Sequence, residues 1–364
     1  MEKIVYLNPD SFVDTDITVL KYLSCYYEVH WFYIYDDRAS TCILGPEGAR
    51  KYAQENNIIL HLCNRKYRMR NWHNLFFYRD IVNQINRISP KICYYADRHI
   101  FWAINLLFLN SHITKVLGVH DAKKHSGKFR LSKFLDEFSA SFIFHMQKHF
   151  VTFSAGQHDI LQKPYGIESE MVGMSYKHYG SPSIKLPPIK DGIKILFFGS
   201  ILEYKGLDIL IEKLEKAFDN GINNLSLTIA GRGHWWSECS KLIKSNSLYN
   251  LQIRFIANEE IPNLMGSHHF LILPYRDATQ SGPLATAIAY EMPIIAPNYG
   301  CFSDAYSRNS AVLYEQGSLY EALCFISEFT QADYESIKCN CRSIKESCSE
   351  LKIASNYINL FSSL

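Results

Sequence analysis

Short apolar runs recur along the chain, separated by longer amphipathic stretches. In the first half they are KIVYLN, YYEVHWFYIY, NIILHLC, KICYYAD, ITKVLGVHD and FVTFSA; in the second, IKILFFGS, LSLTIAGRG, LQIRFIA, HFLILPY, MPIIAP and SAVLYEQG. Runs this short, dense in β-branched and aromatic residues, predict strands buried on both faces, and the intervening segments, such as LDILIEKLEKAF, carry the helical period. The alternation predicts an α/β chain of parallel sheets covered by helices. Between the two series lies SPSIKLPPIKD, residues 181–191, where Pro182, Pro187 and Pro188 exclude both a helix interior and a central strand. The expectation is two doubly wound, Rossmann-like domains, residues 1–183 and 184–345. The final stretch, 346–364, is apolar at helical spacing with no strand behind it, and is expected to pack back on the first domain.

Composition narrows this picture without redirecting it. A length of 364 residues suits two cores of ordinary size. With 38 Lys+Arg against 36 Asp+Glu the net charge is +2, so no global field favours nucleic acid and any anion site must be built locally. The cysteines lie mostly inside apolar runs, as at Cys25, Cys63 and Cys93, and Cys339 with Cys341 lacks metal-ligand spacing; reduced thiols in a cytoplasmic protein are expected. MEKIVYLNPD reads as a first strand and its loop, without the apolar core and cleavage site of a signal peptide. The most apolar run, IFWAINLLFL, is about half the length of a membrane-spanning helix.

In open α/β sheets ligands bind beyond the carboxyl ends of strands, so the loops after strands carry the candidate chemistry. After IKILFFGS come Gly199 and Ser200, then Lys205-Gly206 before a helix: a glycine for a tight turn and a lysine near the anion-attracting end of that helix. After HFLILPY, a helix opens on Thr279-Gln280-Ser281-Gly282-Pro283. Ser281 as N-cap and Pro283 in the first turn are explained by capping, and the free N–H groups of Ser281 and Gly282 also form a phosphate site. Gly231 and Gly233 flank Arg232 in a turn at a strand end, and His120 with Asp121 closes LGVHD, facing the ligand edge. Asp14, in DTD after the first strand, reads as a capping group more readily than as half of a metal site, and HMQKH lacks the glutamate of a zinc protease motif. Arg65, Lys66, Arg68 and Arg70 crowd beside Tyr67, Trp72, Phe76 and Phe77, a composition that suits an anionic membrane surface or a lipid-linked acceptor, or else an ordinary solvated face.

Taken together, FFGSILEYKGLDILIEKL, LTIAGRG and IANEEIPNLMGSHHFLILPYRDATQSGPLATAIAYEMPIIAPNYGCF resemble the nucleotide-sugar-binding half of glycosyltransferase family 4 enzymes of the GT-B fold. The first half resembles that family only in its strand rhythm and in His120. The resemblance implies two domains facing across a cleft, with a nucleotide diphosphate sugar, UDP- or GDP-linked, as donor. Its diphosphate would be held by Lys205 and the Ser281-Gly282 amides, with Gly199 and Ser200 in the first loop. His120 would contact the sugar near the reacting carbon, making His120 and Lys205 the catalytic pair. Gly231, Arg232, Ile256, Glu259, Glu260, Thr279 and Gln280 fall where the family holds nucleoside and sugar. The acceptor would be a saccharide or a lipid-linked one in surface-polysaccharide assembly, met by Asp14 and the 65–72 cluster at the inner face of a membrane. Transfer would retain the anomeric configuration, and neither metal nor cofactor is expected. Two departures stand out: Ser200 occupies the place of a common arginine, and Ala278 and Thr286 that of a common acidic pair, leaving Asp277, Thr279 and Gln280 to substitute. A nucleotide-sugar epimerase and a non-catalytic partner subunit remain the alternatives.

Overall fold

The computed structural model describes residues 1–37, 44–68, 71–97, 99–119, 143–176, 179–277 and 281–364, the side chains of Asp14, Thr15 and Pro164 excepted. They form two compact units, Met1–Ser175 with Glu350–Leu364, and Tyr176–Ser349.

The first unit runs β1 (Lys3–Pro9), α1 (Val13–Leu23), β2 (Glu28–Tyr35), α2 (Gly45–Glu55), β3 (Ile59–Asn64), α3 (Asn74–Ile88), β4 (Ile92–Tyr95), α4 (Ile100–Asn105), β5 (Thr114–Val119), β6 (His149–Thr152), α5 (Ala155–Tyr165) and β7 (Glu170–Met171). Its parallel sheet has the order β3-β2-β1-β4-β5-β6-β7. Because successive strand side chains point to opposite faces, β1 feeds two cores: Ile4 and Tyr6 enter one, Val5 and Leu7 the other. That double burial is why the strands read as continuous apolar runs. The apolar run 100–109 contributes α4 and a following 3₁₀ turn, and among the described residues no helix is long and apolar enough to cross a membrane. Asp14 sits in the first turn of α1, whose N-cap position is Phe12, and its side chain lies outside the described residues. Two positions on, Asp16 is buried, accepts a hydrogen bond from Asn8 Nδ2 at 3.0 Å, and is pushed by burial to a pKa of about 7.

The second unit runs β8 (Ile193–Phe198), α6 (Leu207–Asp219), β9 (Leu225–Ala230), α7 (Trp236–Cys239), β10 (Tyr249–Gln252), α8 (Ile261–Gly266), β11 (Phe270–Ile272), α9 (Gly282–Ala289), β12 (Ile294–Pro297), α10 (Cys301–Ala305), β13 (Ala311–Tyr314), α11 (Leu319–Ser327) and α12 (Gln331–Ser347). Its parallel sheet has the order β10-β9-β8-β11-β12-β13. The run LQIRFIA is a strand only at its start, because the Arg254 N–H turns back onto the Gln252 carbonyl at 2.9 Å. The proline-rich connection is fastened to this unit. Tyr179 N–H donates to the Tyr290 hydroxyl at 3.1 Å, Ser183 N–H to Asn263 Oδ1 at 2.8 Å, and Ile189 N–H to Gln331 Oε1 at 3.0 Å. The terminal helix α13 (Glu350–Ser363) returns to the first unit. Tyr357 and Phe361 join Tyr6 and Tyr94 in its core, the Tyr357 and Tyr94 hydroxyls lie 3.3 Å apart, and Lys21 pairs with Glu350.

His269, fully buried at the start of β11, fixes its own tautomer. Nδ1 accepts the Lys194 N–H at 3.0 Å and Nε2–H donates to the Pro187 carbonyl at 2.9 Å, so the ring is neutral. Burial, opposed by the Pro187 bond and assisted by nearby positive groups, lowers its pKa to about 4. A histidine lowered from about 6.5 stabilises fully above pH 6.5, and that stability is lost as pH falls through 4. The expected cost is about 2–3 kcal/mol, read as faster hydrogen exchange across β8 and β11 on acidification, and His269→Gln should flatten that dependence.

Candidate functional site

The order of the second sheet reverses between β8 and β11, the place where an open α/β sheet leaves a crevice for a ligand. The loops after these two strands carry Lys205 and Ser281. At the end of β8, Gly199 takes φ +111°, and a Cβ built on it would stand 3.2 Å from Pro283 Cγ and 3.4 Å from Lys205 Nζ. Lysine, glycine and helix start thus converge on one point.

Lys205 closes a 3₁₀ turn, Glu203–Lys205, and its next residue, Gly206, takes φ +67° with the Pro274 carbonyl against it. A Cβ at Gly206 would lie 2.0 Å from that oxygen, so only glycine lets the turn close on the neighbouring loop. The turn buries Lys205 to 6 % exposure, with Nζ 5.3 Å from the centre of the Tyr275 ring. Among the described residues no carboxylate pairs with it, and desolvation lowers its pKa from 10.5 to about 8. An ammonium taken from water without an anion is costly, and a bound anion removes that cost.

Helix α9 opposes it. Ser281 is the N-cap, its Oγ accepting the Leu284 N–H at 3.3 Å and lying 3.2 Å from the Tyr275 hydroxyl. Capping therefore takes the Leu284 N–H through the Ser281 side chain, while the Ser281 and Gly282 amides stand at the positive end of the helix, where an anion is favoured. Among the described residues, its chain neighbours and the helix backbone aside, no atom lies within 4 Å of where a Gly282 Cβ would stand, which leaves room for an anion to approach the backbone. Tyr275, beneath Lys205 and bonded to the cap, went unremarked in the sequence; its signal was its place in the loop after a strand at the sheet's reversal.

The turn after β9 forms the adjoining wall. A Cβ on Gly231, at φ +150°, would lie 1.8 Å from the Gly199 carbonyl, and one on Gly233 1.9 Å from the Ile201 carbonyl. Both glycines serve close packing on the β8 loop, and between them Arg232 is exposed, its guanidinium 5.4 Å from the Phe255 ring centre. Ile256 is buried beneath the next loop and Glu259 is exposed. Glu260 is engaged: Arg254 pairs with it at 2.5 and 2.8 Å, the Ala257 N–H donates to it at 3.0 Å, and the pairing pulls its carboxyl down to about 2. Ser200 and Asp277 are exposed, while Thr279 and Gln280 lie outside the described residues.

In the first unit, β5 ends at Val119 and His120 lies outside the described residues. Lys66 and Arg68 are exposed, Arg65 is half-buried near Tyr78, and Arg70 lies outside the described residues. Trp72 is 60 % exposed and meets Phe76 edge-on at 5.6 Å, while Tyr67 stacks on His73 at 4.7 Å. His145 precedes β6 and His149 opens it, so the pair does not share one helix face.

Two doubly wound parallel sheets carried in one chain are the architecture of GT-B glycosyltransferases. Residues 192–326 match the sequence profile of the family described as Glycosyl transferases group 1. Solved structures resemble the chain along its length. A glycosyltransferase from Rickettsia africae ESF-5 is 15% identical with a TM-score of 0.71, covering 100% of this chain and 98% of that one. Anabaena Alr3699/HepE in complex with UDP and glucose is 13% identical at TM-score 0.74, covering 100% of both chains. Sucrose-phosphate synthase from Thermosynechococcus elongatus is 11% identical at TM-score 0.74, again covering 100% of both. No curated protein matches by sequence.

Proposed function

We propose that the protein is a retaining, metal-independent glycosyltransferase that moves a hexose from a nucleotide diphosphate sugar to a saccharide or lipid-linked acceptor in surface-polysaccharide assembly. The observation that carries this is Lys205, a buried ammonium without a carboxylate partner among the described residues, set beside Gly199 and Pro283 at the start of α9. A diphosphate seated there would place its charge against Lys205 and the Ser281 and Gly282 amides. As the bond from the anomeric carbon to the diphosphate oxygen breaks, charge on that oxygen grows and fixed positive groups favour the later state over the earlier one. His120, by family resemblance, would contact the sugar, and Arg232, Ile256 and Glu259 would border the nucleoside. UDP is the first choice of nucleotide, since the HepE structures hold UDP or UDP-glucose.

A thermal-shift panel of UDP, GDP, ADP, CMP and TDP tests the reading. UDP or GDP is expected to raise the unfolding temperature, in line with about 2.7 kcal/mol at a hundredfold excess over Kd. A chain indifferent to all five would refute it.

The exposed Trp72, Phe76 and Tyr67 beside Lys66 and Arg68 support a peripheral role at an anionic cytoplasmic membrane face, where the lipid-linked acceptor would be met. Replacing Arg65, Lys66, Arg68 and Arg70 by Ser should lower co-sedimentation with phosphatidylserine-containing vesicles at least tenfold, at about 1 kcal/mol per basic residue near the surface. Binding unchanged by the four substitutions removes the membrane role.

A further inference from the structure

Arg276, in the loop after β11, is tied by four bonds to the turn after β8 and the start of α6. Its guanidinium meets the Asp208 carboxylate through two parallel contacts, Nη1 to Oδ1 at 2.9 Å and Nη2 to Oδ2 at 2.6 Å. Nη1 also donates to the Glu203 carbonyl, and the Arg276 backbone N–H donates to the Tyr204 carbonyl at 2.7 Å. Two of those acceptors belong to the turn that ends on Lys205, and the other two to Asp208 in the first turn of α6. The lysine therefore lies inside a brace between two loops. Asp208 is largely buried, and although burial alone would raise its carboxyl, the Arg276 guanidinium holds it below the usual carboxylate range. The charges cancel within the pair, and Lys205 keeps no carboxylate partner among the described residues.

Resting on the donor-site reading, we infer that Arg276 and Asp208 are positioning residues that hold the Lys205 turn against the start of α9, in the arrangement that receives the diphosphate. A two-point guanidinium–carboxylate contact fixes orientation as well as distance, which a lysine cannot reproduce. The same pair places no free charge of its own on the ligand: the Arg276 guanidinium is spent on Asp208 and on the Glu203 carbonyl of the turn.

The test uses the full chain with Asp208→Asn, Arg276→Gln, Arg276→Lys and the Asp208→Asn/Arg276→Gln double variant. Two measurements are made, UDP titration calorimetry and hydrogen exchange of the Tyr204, Lys205 and Gly206 amides. Each single variant should weaken UDP roughly tenfold, and the double variant no more than either, because one brace is broken once. Exchange of the three amides should rise in every variant, and Arg276→Lys should not restore it. The fall of UDP affinity with pH, set near pH 8 by buried Lys205, should move toward the ordinary lysine range as the turn admits water. Tighter UDP binding by Asp208→Asn would overturn the inference, since it would make Arg276 a ligand of the diphosphate released from its partner. Unchanged amide exchange would also overturn it. If exchange rises while neither wild type nor variants bind UDP or GDP, the brace stands and the donor-site reading falls.

Discussion

Lys205→Ala is expected to lower nucleoside diphosphate affinity by about 10- to 100-fold, the worth of a hydrogen bond to a charged group, while leaving the fold as stable as before or more so. The two halves of that expectation have one cause. In the unliganded protein the ammonium is buried without a carboxylate partner among the described residues, so removing it removes an electrostatic cost. A lysine retained for packing would show the opposite pattern, lost stability with unchanged binding. The pH dependence has a definite sign as well. Free Lys205 keeps its proton below about 8, so wild-type affinity should be level below that pH and fall above it, until the pKa of the liganded form is reached. In Lys205→Ala this fall should vanish. Calorimetry with UDP across pH 6.5 to 9.5, beside denaturant unfolding of both proteins, reads affinity and stability together; a destabilised variant that binds UDP like wild type would remove Lys205 from the site.

Gly231→Ala is expected to be the most destabilising single change at this site, by at least about 3 kcal/mol. The new methyl would stand 1.8 Å from the Gly199 carbonyl on a residue at φ +150°, so both sterics and backbone preference oppose it. The strain would fall on Gly199, beside which Lys205 Nζ and Pro283 stand close enough to meet an added Cβ at 3.4 and 3.2 Å, and ligand binding should be lost with stability. Gly282→Ala is the informative contrast. Among the described residues its methyl would meet nothing beyond its own helix and neighbours, so stability should hold, yet it would stand over the amides where the diphosphate comes close, and affinity for UDP should fall. Equal stability for Gly231→Ala and wild type in urea unfolding would contradict the close approach of the β8 and β9 loops.

How much of this was legible in the sequence depended on whether a feature is local. Strands such as Ile4 to Leu7 or Ile193 to Phe198 were readable because double burial leaves an unbroken apolar run. Lys205, Ser281 and Gly282 could be picked out because each follows a strand, and parallel strands put such loops on one edge. β7 was missed, since two exposed residues, Glu170 and Met171, carry no pattern. The proline-rich segment reads as a linker, but its attachments to Tyr290, Asn263 and Gln331 are long-range bonds that no local composition announces. The Arg276–Asp208 contact was invisible for the same reason: its partners are 68 residues apart and meet only because β8 and β11 are neighbours. Glu260 shows the converse limit, a carboxylate in a suitable loop whose charge is taken by Arg254.

The return of α13 to the first unit fixes an order of events during synthesis. Everything needed to close the second unit, Tyr176–Ser349, has been translated before Glu350 leaves the ribosome. The first unit, although begun at Met1, must wait with Tyr6 and Tyr94 uncovered until Tyr357 and Phe361 arrive. The half of the protein made first is therefore the half finished last, and a nascent chain stalled before residue 350 presents an open aromatic core to the cell's chaperones.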